Sequence, residues 1–180
     1  MPSAPMASSL SASCTTLNSG VISAGAEAVS SWLEDHGHPA DDIRSIVKII
    51  SNVGFKDELV SSTSSSASLE MTPEFKVVQD ADRLDAIGAL GIARTFCYGG
   101  ARGDPMHIPG VEPRIPLTKE QYVASSTGGR VCTVVNHFHE KLLRLKGMMK
   151  SDSGRRRAEG RHEFMLMYLE QFHGEWDGDR

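Results

Sequence analysis

The sequence lacks most of the features that mark secreted or membrane-spanning proteins. Its three cysteines are scattered and odd in number, so they predict neither a disulfide framework nor a zinc knuckle, and they fit a reducing compartment. No apolar run approaches the roughly 18 residues that a membrane span needs. The N-terminus has no basic segment followed by an apolar core, so no secretory signal is predicted. We expect a cytoplasmic protein without a membrane partner. Organelle targeting by the N-terminal segment is the alternative, although no arginine precedes Arg44.

The sequence also has no excess of positive charge. The formal net charge is −4, which gives no electrostatic reason to expect binding to nucleic acid. With 39% hydrophobic and 23% charged residues, the composition is ordinary for a globular domain. The 180 residues are enough for one domain with a core and a tail. We therefore expect no nucleic-acid partner.

Alternating polarity is absent as well, and the periodicity predicts an all-α fold of about five helices. Residues 1–22 form a Ser/Ala-rich leader that we expect to be disordered, and residues 23–178 form the helical domain. The predicted helices run from about Ile22 to Asp35, from Asp41 or Asp42 to about Val53, from Pro73 to Phe96, from Arg130 to Met149, and onward from the Ser151–Gly154 break. Between the third and fourth helices, Tyr98–Pro116 is dense in Gly and Pro and predicts a long loop.

The third predicted helix carries an unusual group of acidic residues. At helical spacing, Asp82 and Asp85 share a face with Ala86 and Ala89, which leaves room for an ion or a ligand. Hard divalent cations prefer such oxygen ligands. The alternative is a solvated face that carries Asp80 and Asp85, with Arg83 as their ion-pair partner. Both interpretations remain open at this point.

One flank of the same predicted helix has unusually small side chains. Gly88 and Gly91 lie among alanines, and a glycine costs up to about 1 kcal/mol relative to alanine inside a helix. Close approach of a neighbouring helix backbone would compensate for that cost. The sequence therefore predicts a tight helix–helix contact along this flank.

The stretch VVQDADRLDAIGALGIARTFCYGGARGDPMH resembles the signature of small HD-domain phosphohydrolases, in particular a subgroup with a QDADRLDAIGA block. The resemblance extends, in order, to WLEDHGH, DDIRSIVKIISNVGFKDEL, NHFHEKLLRLKGMMKS and RHEFMLMYLEQFHGEW. It implies an all-α fold and metal-dependent hydrolysis of a nucleotide-like phosphate ester or anhydride. The implied cofactor is a divalent ion, Mn²⁺ or Mg²⁺. In this register Asp82 is the implied metal ligand, and Asp80 is the alternative.

The resemblance also implies roles for residues around the metal. Lys56, Arg83 and Asp85 are the expected catalytic residues, with Lys56 or Arg83 stabilising the charge that develops on phosphate. Arg94 and His107 are expected to contact substrate, His107 because the Gly/Pro loop can fold over the site. The other histidines are expected to be ordinary, with His137 and His139 at the surface or its boundary and His162 in the core.

The family's metal site also needs an upstream His and an adjacent His-Asp pair, and the 180 residues contain no His-Asp dipeptide. We expect the chain to correspond to the C-terminal part of such a domain, with impaired metal binding and little or no turnover. The missing helices would leave an apolar flank open, so association between copies is expected. The alternative function is a non-catalytic helical module that binds a protein partner or a nucleotide.

Overall fold

The structure is a computed structural model that describes residues 19–55, 71–115 and 133–179, with side chains from Gly25 onward. Every regular element in these ranges is helical, which confirms the all-α prediction. None of these helices is both long and apolar enough to cross a lipid bilayer. Most of the predicted leader, residues 1–18, lies outside the described residues, whereas residues 19–22 belong to the first helix. Contacts divide the chain into two compact units, Met1–Ser51 and Asn52–Arg180.

The first unit contains two helices, α1 (Ser19–Asp35) and α2 (Ala40–Asn52, which ends at the boundary). Ala26 and Leu33 of α1 are buried, as is Ile43 of α2. Gly37 follows α1 with a φ of +73°, a left-handed conformation that glycine adopts without strain. Asp41 and Asp42 lie in the first turn of α2, where the positive end of the helix dipole stabilises their carboxylates.

The second unit contains the remaining described elements, and its core joins most of them. In chain order they are α3 (Pro73–Asp85), α4 (Gly88–Arg102), α5 (Val134–Glu140), a 3₁₀ helix (Leu142–Met148) and α6 (Asp152–Asp177). The largest fully buried side chains include Phe138 of α5, Leu145 of the 3₁₀ helix and Met165 of α6. Phe96 of α4 packs against the rings of Phe138 and Tyr168 at centroid distances of 6.0 and 5.9 Å.

The third predicted helix, Pro73–Phe96, is wrong as one continuous element, because the chain breaks at Ala86–Ile87 between α3 and α4. Gly88 has a φ of +77°, and a Cβ there would lie 2.9 Å from Cγ of Arg161. The close contact predicted for Gly88 and Gly91 is therefore made by other groups than a neighbouring helix backbone. For Gly91 the group is the carbonyl of Ala86, 2.2 Å from an ideal Cβ position.

The predicted loop begins later than expected, since α4 continues through Gly99 and Gly100 to Arg102. Gly99 is a buried residue of this helix and packs against Val134, whose Cγ2 would lie 2.3 Å from a Cβ at this position. After the break at Gly103, with its φ of +73°, the loop is tied to the start of α5. The carbonyls of Pro105 and Met106 accept the backbone N–H groups of Val134 and Val135, both at 3.0 Å.

The fourth predicted helix also consists of two elements, because α5 ends at Glu140 and a 3₁₀ helix follows. Residues 130–132 of the prediction lie outside the described residues. Three residues per turn place the buried Leu142 and Leu145 on the same side of the 3₁₀ helix. α6 then begins inside the predicted break, because the Ser151 hydroxyl caps it by accepting the N–H of Gly154 at 2.9 Å.

Candidate functional site

The acidic block of α3 divides between two faces of the helix. Asp80 and Arg83 are both buried, and their spacing of three residues places them on one face. Asp82 and Asp85 are exposed and share another face by the same spacing. Ala86 only caps α3, and Ala89 belongs to α4, so neither extends this acidic face as the sequence predicted.

The carboxylate of Asp80 is held by the junction between the 3₁₀ helix and α6. It accepts the backbone N–H groups of Lys150 and Ser151, both at 2.8 Å, and the Ser151 hydroxyl at 2.6 Å. Gly154 makes room for it, because a Cβ there would lie 2.2 Å from Oδ2 of Asp80. Both oxygens of Asp80 are therefore engaged by protein donors.

The guanidinium of Arg83 is also directed into the protein. Its Nη1 donates to the carbonyl of Met148 at the end of the 3₁₀ helix, one of the carbonyls that a helix end leaves without an internal partner. Burial lowers the pKa of Arg83 to about 10, so the group remains charged at neutral pH. The structure therefore places the predicted catalytic Arg83 on the same buried face as Asp80 and away from the face of Asp82.

Asp82 is the carboxylate of this block that faces outward without a hydrogen bond from another described residue. Its pKa is raised above the usual 3.8, mainly because nearby protein atoms remove water from around the carboxyl. Lys141 and Arg94 act in the opposite direction, and Asp85 adds repulsion. The described residues therefore form a polar cluster at this face, which consists of the carboxylates of Asp82 and Asp85 and the cations of Lys141 and Arg94.

Asp85 and Arg94 connect the two sides of the helix break. Arg94 Nη1 pairs with Oδ2 of Asp85 and lies 3.3 Å from the backbone carbonyl of Asp85. Both side chains are exposed, so this pair is accessible to a ligand but contributes little to stability. The structure therefore brings together three of the predicted site residues, Asp82, Asp85 and Arg94.

The remaining predicted site residues do not join this cluster within the described structure. Lys56 lies outside the described residues. The ring of His107 packs perpendicular to His173 and Trp176 near the end of α6, with centroids 5.1 and 5.3 Å apart. His107, His173 and Trp176 are not among the residues that shift the pKa of Asp82. The structure therefore gives no link between His107 and the cluster around Asp82 within the described residues.

Sequence reasoning missed Lys141, which contributes positive charge near Asp82, and a buried ion pair behind it. Arg114 of the loop donates Nε and Nη2 to the carboxylate of Glu140, at 2.8 and 2.7 Å. His137 is half-buried, which agrees with the predicted boundary position, and its loss of hydration, with a smaller effect of Lys141, lowers its pKa to about 4. The helical period places His137 and Glu140 on α5 but contains no information about a loop residue 26 positions before Glu140.

These residues do not by themselves complete a metal site. The described residues contain no group of three or more His, Cys, Asp or Glu side chains placed to hold an ion. Dedicated divalent sites draw several ligands from different elements. Asp82 fits the role of one oxygen ligand, whereas Asp80 is already occupied by the three donors of the α6 junction.

Comparison with known proteins gives no match to a protein-family model. A protein of known structure from Lactobacillus plantarum is 36% identical to this chain and matches it with a TM-score of 0.72. The match covers 89% of this chain and 72% of the other. An HD-superfamily hydrolase from Bacillus thuringiensis is 38% identical, with a TM-score of 0.59 over 86% of this chain and 63% of that one.

The uncharacterized protein YpgQ from Bacillus subtilis is also similar. It is 38% identical over 126 residues, which are 70% of this chain and 49% of YpgQ, so this chain spans about half the length of that relative. A crystal structure of YpgQ in complex with ADP matches with a TM-score of 0.57 over 83% of this chain and 63% of that chain.

Proposed function

From the premise that the chain belongs to the same family as its Lactobacillus plantarum relative and has an HD-like fold, we propose a metal-dependent phosphohydrolase function. The proposed substrate is a nucleotide-like phosphate ester or anhydride, and the proposed ion is Mn²⁺ or Mg²⁺. The hydrolase from Bacillus thuringiensis supports the reaction class, and the complex of YpgQ with ADP supports a nucleotide ligand.

The observation that carries the proposal is the outward-facing carboxylate of Asp82. Its neighbour Asp80 is fully hydrogen-bonded, so Asp82 is the better candidate for a metal ligand. Arg94 and Lys141 place positive charge nearby, where they can attract a polyphosphate. Asp85 holds Arg94 across the helix break and keeps that charge in place.

We further propose that the 180 residues as written bind the ion weakly and turn over little nucleotide. The sequence has no His-Asp dipeptide, and the described residues contain no group of three or more His, Cys, Asp or Glu side chains that could hold an ion together with Asp82. A site with one strong oxygen ligand competes poorly with water for a divalent ion. When bound, such an ion would act as a Lewis acid and supply a hydroxide nucleophile.

The direct test measures Mn²⁺ binding by calorimetry and phosphate release from ADP and ATP in the purified chain. We expect a dissociation constant of about 10⁻³ M or weaker, phosphate release close to the background, and loss of the binding signal in Asp82→Asn. Asp42→Asn, an exposed change on α2, is the matched control and should leave binding unchanged.

Two results would contradict different parts of the proposal. Unchanged Mn²⁺ binding in Asp82→Asn would remove Asp82 from the site. Rapid phosphate release that depends on Asp82 would instead confirm the reaction class and refute the proposed impairment.

The second candidate is a non-catalytic module, and exposed apolar side chains favour it. Val77 and Val78 of α3 and Leu90 of α4 all face outward, which is unusual for large side chains on adjoining helices. A nucleotide that binds without metal and without turnover would support this candidate over the enzyme.

A further inference from the structure

The two faces of α3 have a consequence for the orientation of Asp82. Residues 80 and 83 point into the protein, and residues 82 and 85 point out, so a rotation of α3 about its axis would turn Asp82 away from its present neighbours. Whatever holds the buried face therefore determines where the outward carboxylate points.

The contacts of the buried face are specific and come from one short segment. Asp80 accepts three hydrogen bonds of 2.6 to 2.8 Å from Lys150 and Ser151, and Arg83 donates to Met148. Hydrogen bonds to a charged group are stronger and more directional than those between neutral groups. Gly154 supplies the space for the Asp80 carboxylate at the first turn of α6.

We propose that Asp80 is a positioning residue, which fixes the rotation of α3 against the 3₁₀–α6 junction and thereby the direction of Asp82. This inference rests on the proposed function only in what Asp82 does, and the rotation of α3 can be measured without metal or substrate. Asp80 itself does not contact the ion or the phosphate in this assignment.

The experiment measures the rotation of α3 by the reactivity of single cysteines. In a background with Cys14, Cys97 and Cys132 changed to serine, Gln79→Cys reports the buried face and Ala81→Cys reports the exposed face. In this background we expect the residue-79 thiol to react slowly and the residue-81 thiol to react fast. The change Asp80→Asn is then added. It replaces one acceptor oxygen with an NH2 group, which is itself a donor and therefore repels the N–H donors of Lys150 and Ser151.

We expect Asp80→Asn to raise the reaction rate at position 79 by about tenfold and to lower the rate at position 81, because α3 turns as a folded helix. A purely structural role would raise both rates together as the helix opens. Unchanged rates at both positions in folded Asp80→Asn, or a parallel rise, would overturn the assignment.

If Asp80→Asn does not fold, Ser151→Ala decides the question. It removes the hydroxyl donor, and with it the cap of α6, but keeps both backbone N–H donors to Asp80. A smaller change in the same direction is therefore expected, and unchanged rates would contradict the inference. Calorimetry with Mn²⁺ on the same proteins separates the two proposals. Rotation without any Mn²⁺ binding in the unaltered chain would count against the proposed function and leave the role of Asp80 standing.

Discussion

At the scale of single residues, the acidic block shows that neighbouring carboxylates can have opposite roles. Asp80 is buried and satisfied by three donors, whereas Asp82, two positions later, faces outward with a raised pKa. A buried carboxylate is tolerated only when its oxygens find donors, and the capped start of α6 supplies them. The role of each acid therefore follows from the element that it faces.

Gly154 gives a direct test of the packing around Asp80. Because a Cβ would lie 2.2 Å from Oδ2, we expect Gly154→Ala to lower the free energy of unfolding by about 1–3 kcal/mol. Gly160→Ala is the matched control on the same helix. Apart from its chain neighbours and the backbone of its own helix, no atom of the described residues lies within 4 Å of its Cβ position, so this change should stabilise by about 0.5–1 kcal/mol. Urea denaturation measures both, and equal effects of the two changes would show that the contact is unimportant.

His137 predicts how stability depends on pH. Its pKa falls from 6.5 to about 4 on folding, so the unfolded chain takes up a proton first as the pH is lowered. Stability from this group is complete above pH 6.5 and is lost as the pH falls toward 4. The groups that face it are Lys141, Glu140 and Arg114.

The measurement compares the wild type with His137→Gln by urea denaturation between pH 7 and pH 4.5. We expect the free energy of unfolding of the wild type to fall further than that of the variant, by on the order of 3 kcal/mol. Parallel pH profiles of the two proteins would contradict the lowered pKa of this histidine.

At the scale of elements, the described part of the Gly/Pro loop, residues 103–115, is bound to α5. The loop provides carbonyls to the first turn of α5, accepts the side-chain amide of Asn136 at the carbonyl of Val111, and places Arg114 on Glu140. These contacts are two backbone hydrogen bonds, one side-chain hydrogen bond and one bidentate ion pair. Together they offset the loss of conformational entropy when the segment becomes ordered.

The buried pair of Arg114 and Glu140 should be the strongest of these contacts. Their side chains are only 12% and 5% exposed, so Glu140→Gln removes the negative charge that faces a buried cation. We expect a loss of about 3–5 kcal/mol in the free energy of unfolding. The pKa of Glu140 is lowered although burial alone would raise it, because the hydrogen bonds from Arg114 favour the carboxylate.

The control for this prediction is Glu159→Gln, which breaks the more exposed pair with Lys146 and should cost about 1 kcal/mol or less. Because the pKa of Glu140 is lowered on folding, its contribution is present above pH 4.5 and declines as the pH falls below that value. A difference between wild type and Glu140→Gln that stayed constant from pH 7 to pH 3 would contradict the assignment.

At the scale of the whole molecule, the second unit has a continuous core and also large apolar side chains at its surface. Val77 and Leu90 are 60% and 66% exposed, and both lie on the outward faces of α3 and α4. Exposed apolar groups on adjoining helices favour association, since their burial removes them from water.

We therefore expect copies of the chain to associate through this face, which can be tested by sedimentation velocity. Leu90→Glu should raise the dissociation constant by about tenfold, because burying one leucine is worth about 1.5–3 kcal/mol. Ile115→Glu, which changes a similarly exposed residue in the loop, is the matched control. If both variants self-associated as strongly as the wild type, the contact between copies would lie elsewhere. If none of the three proteins self-associated, there would be no such contact.

The sequence by itself determined the helical class, the positions of α1 and α2 and the acidic block of α3, because these depend on local periodicity and on capping residues. Only the tertiary structure decided that the third predicted helix breaks before Gly88, since a helical pattern continues unchanged across such a break. It also decided which carboxylate is occupied and which faces outward. Asp80 receives its donors from residues 70 and 71 positions later, and a contact at that separation leaves no local pattern for sequence reasoning to detect.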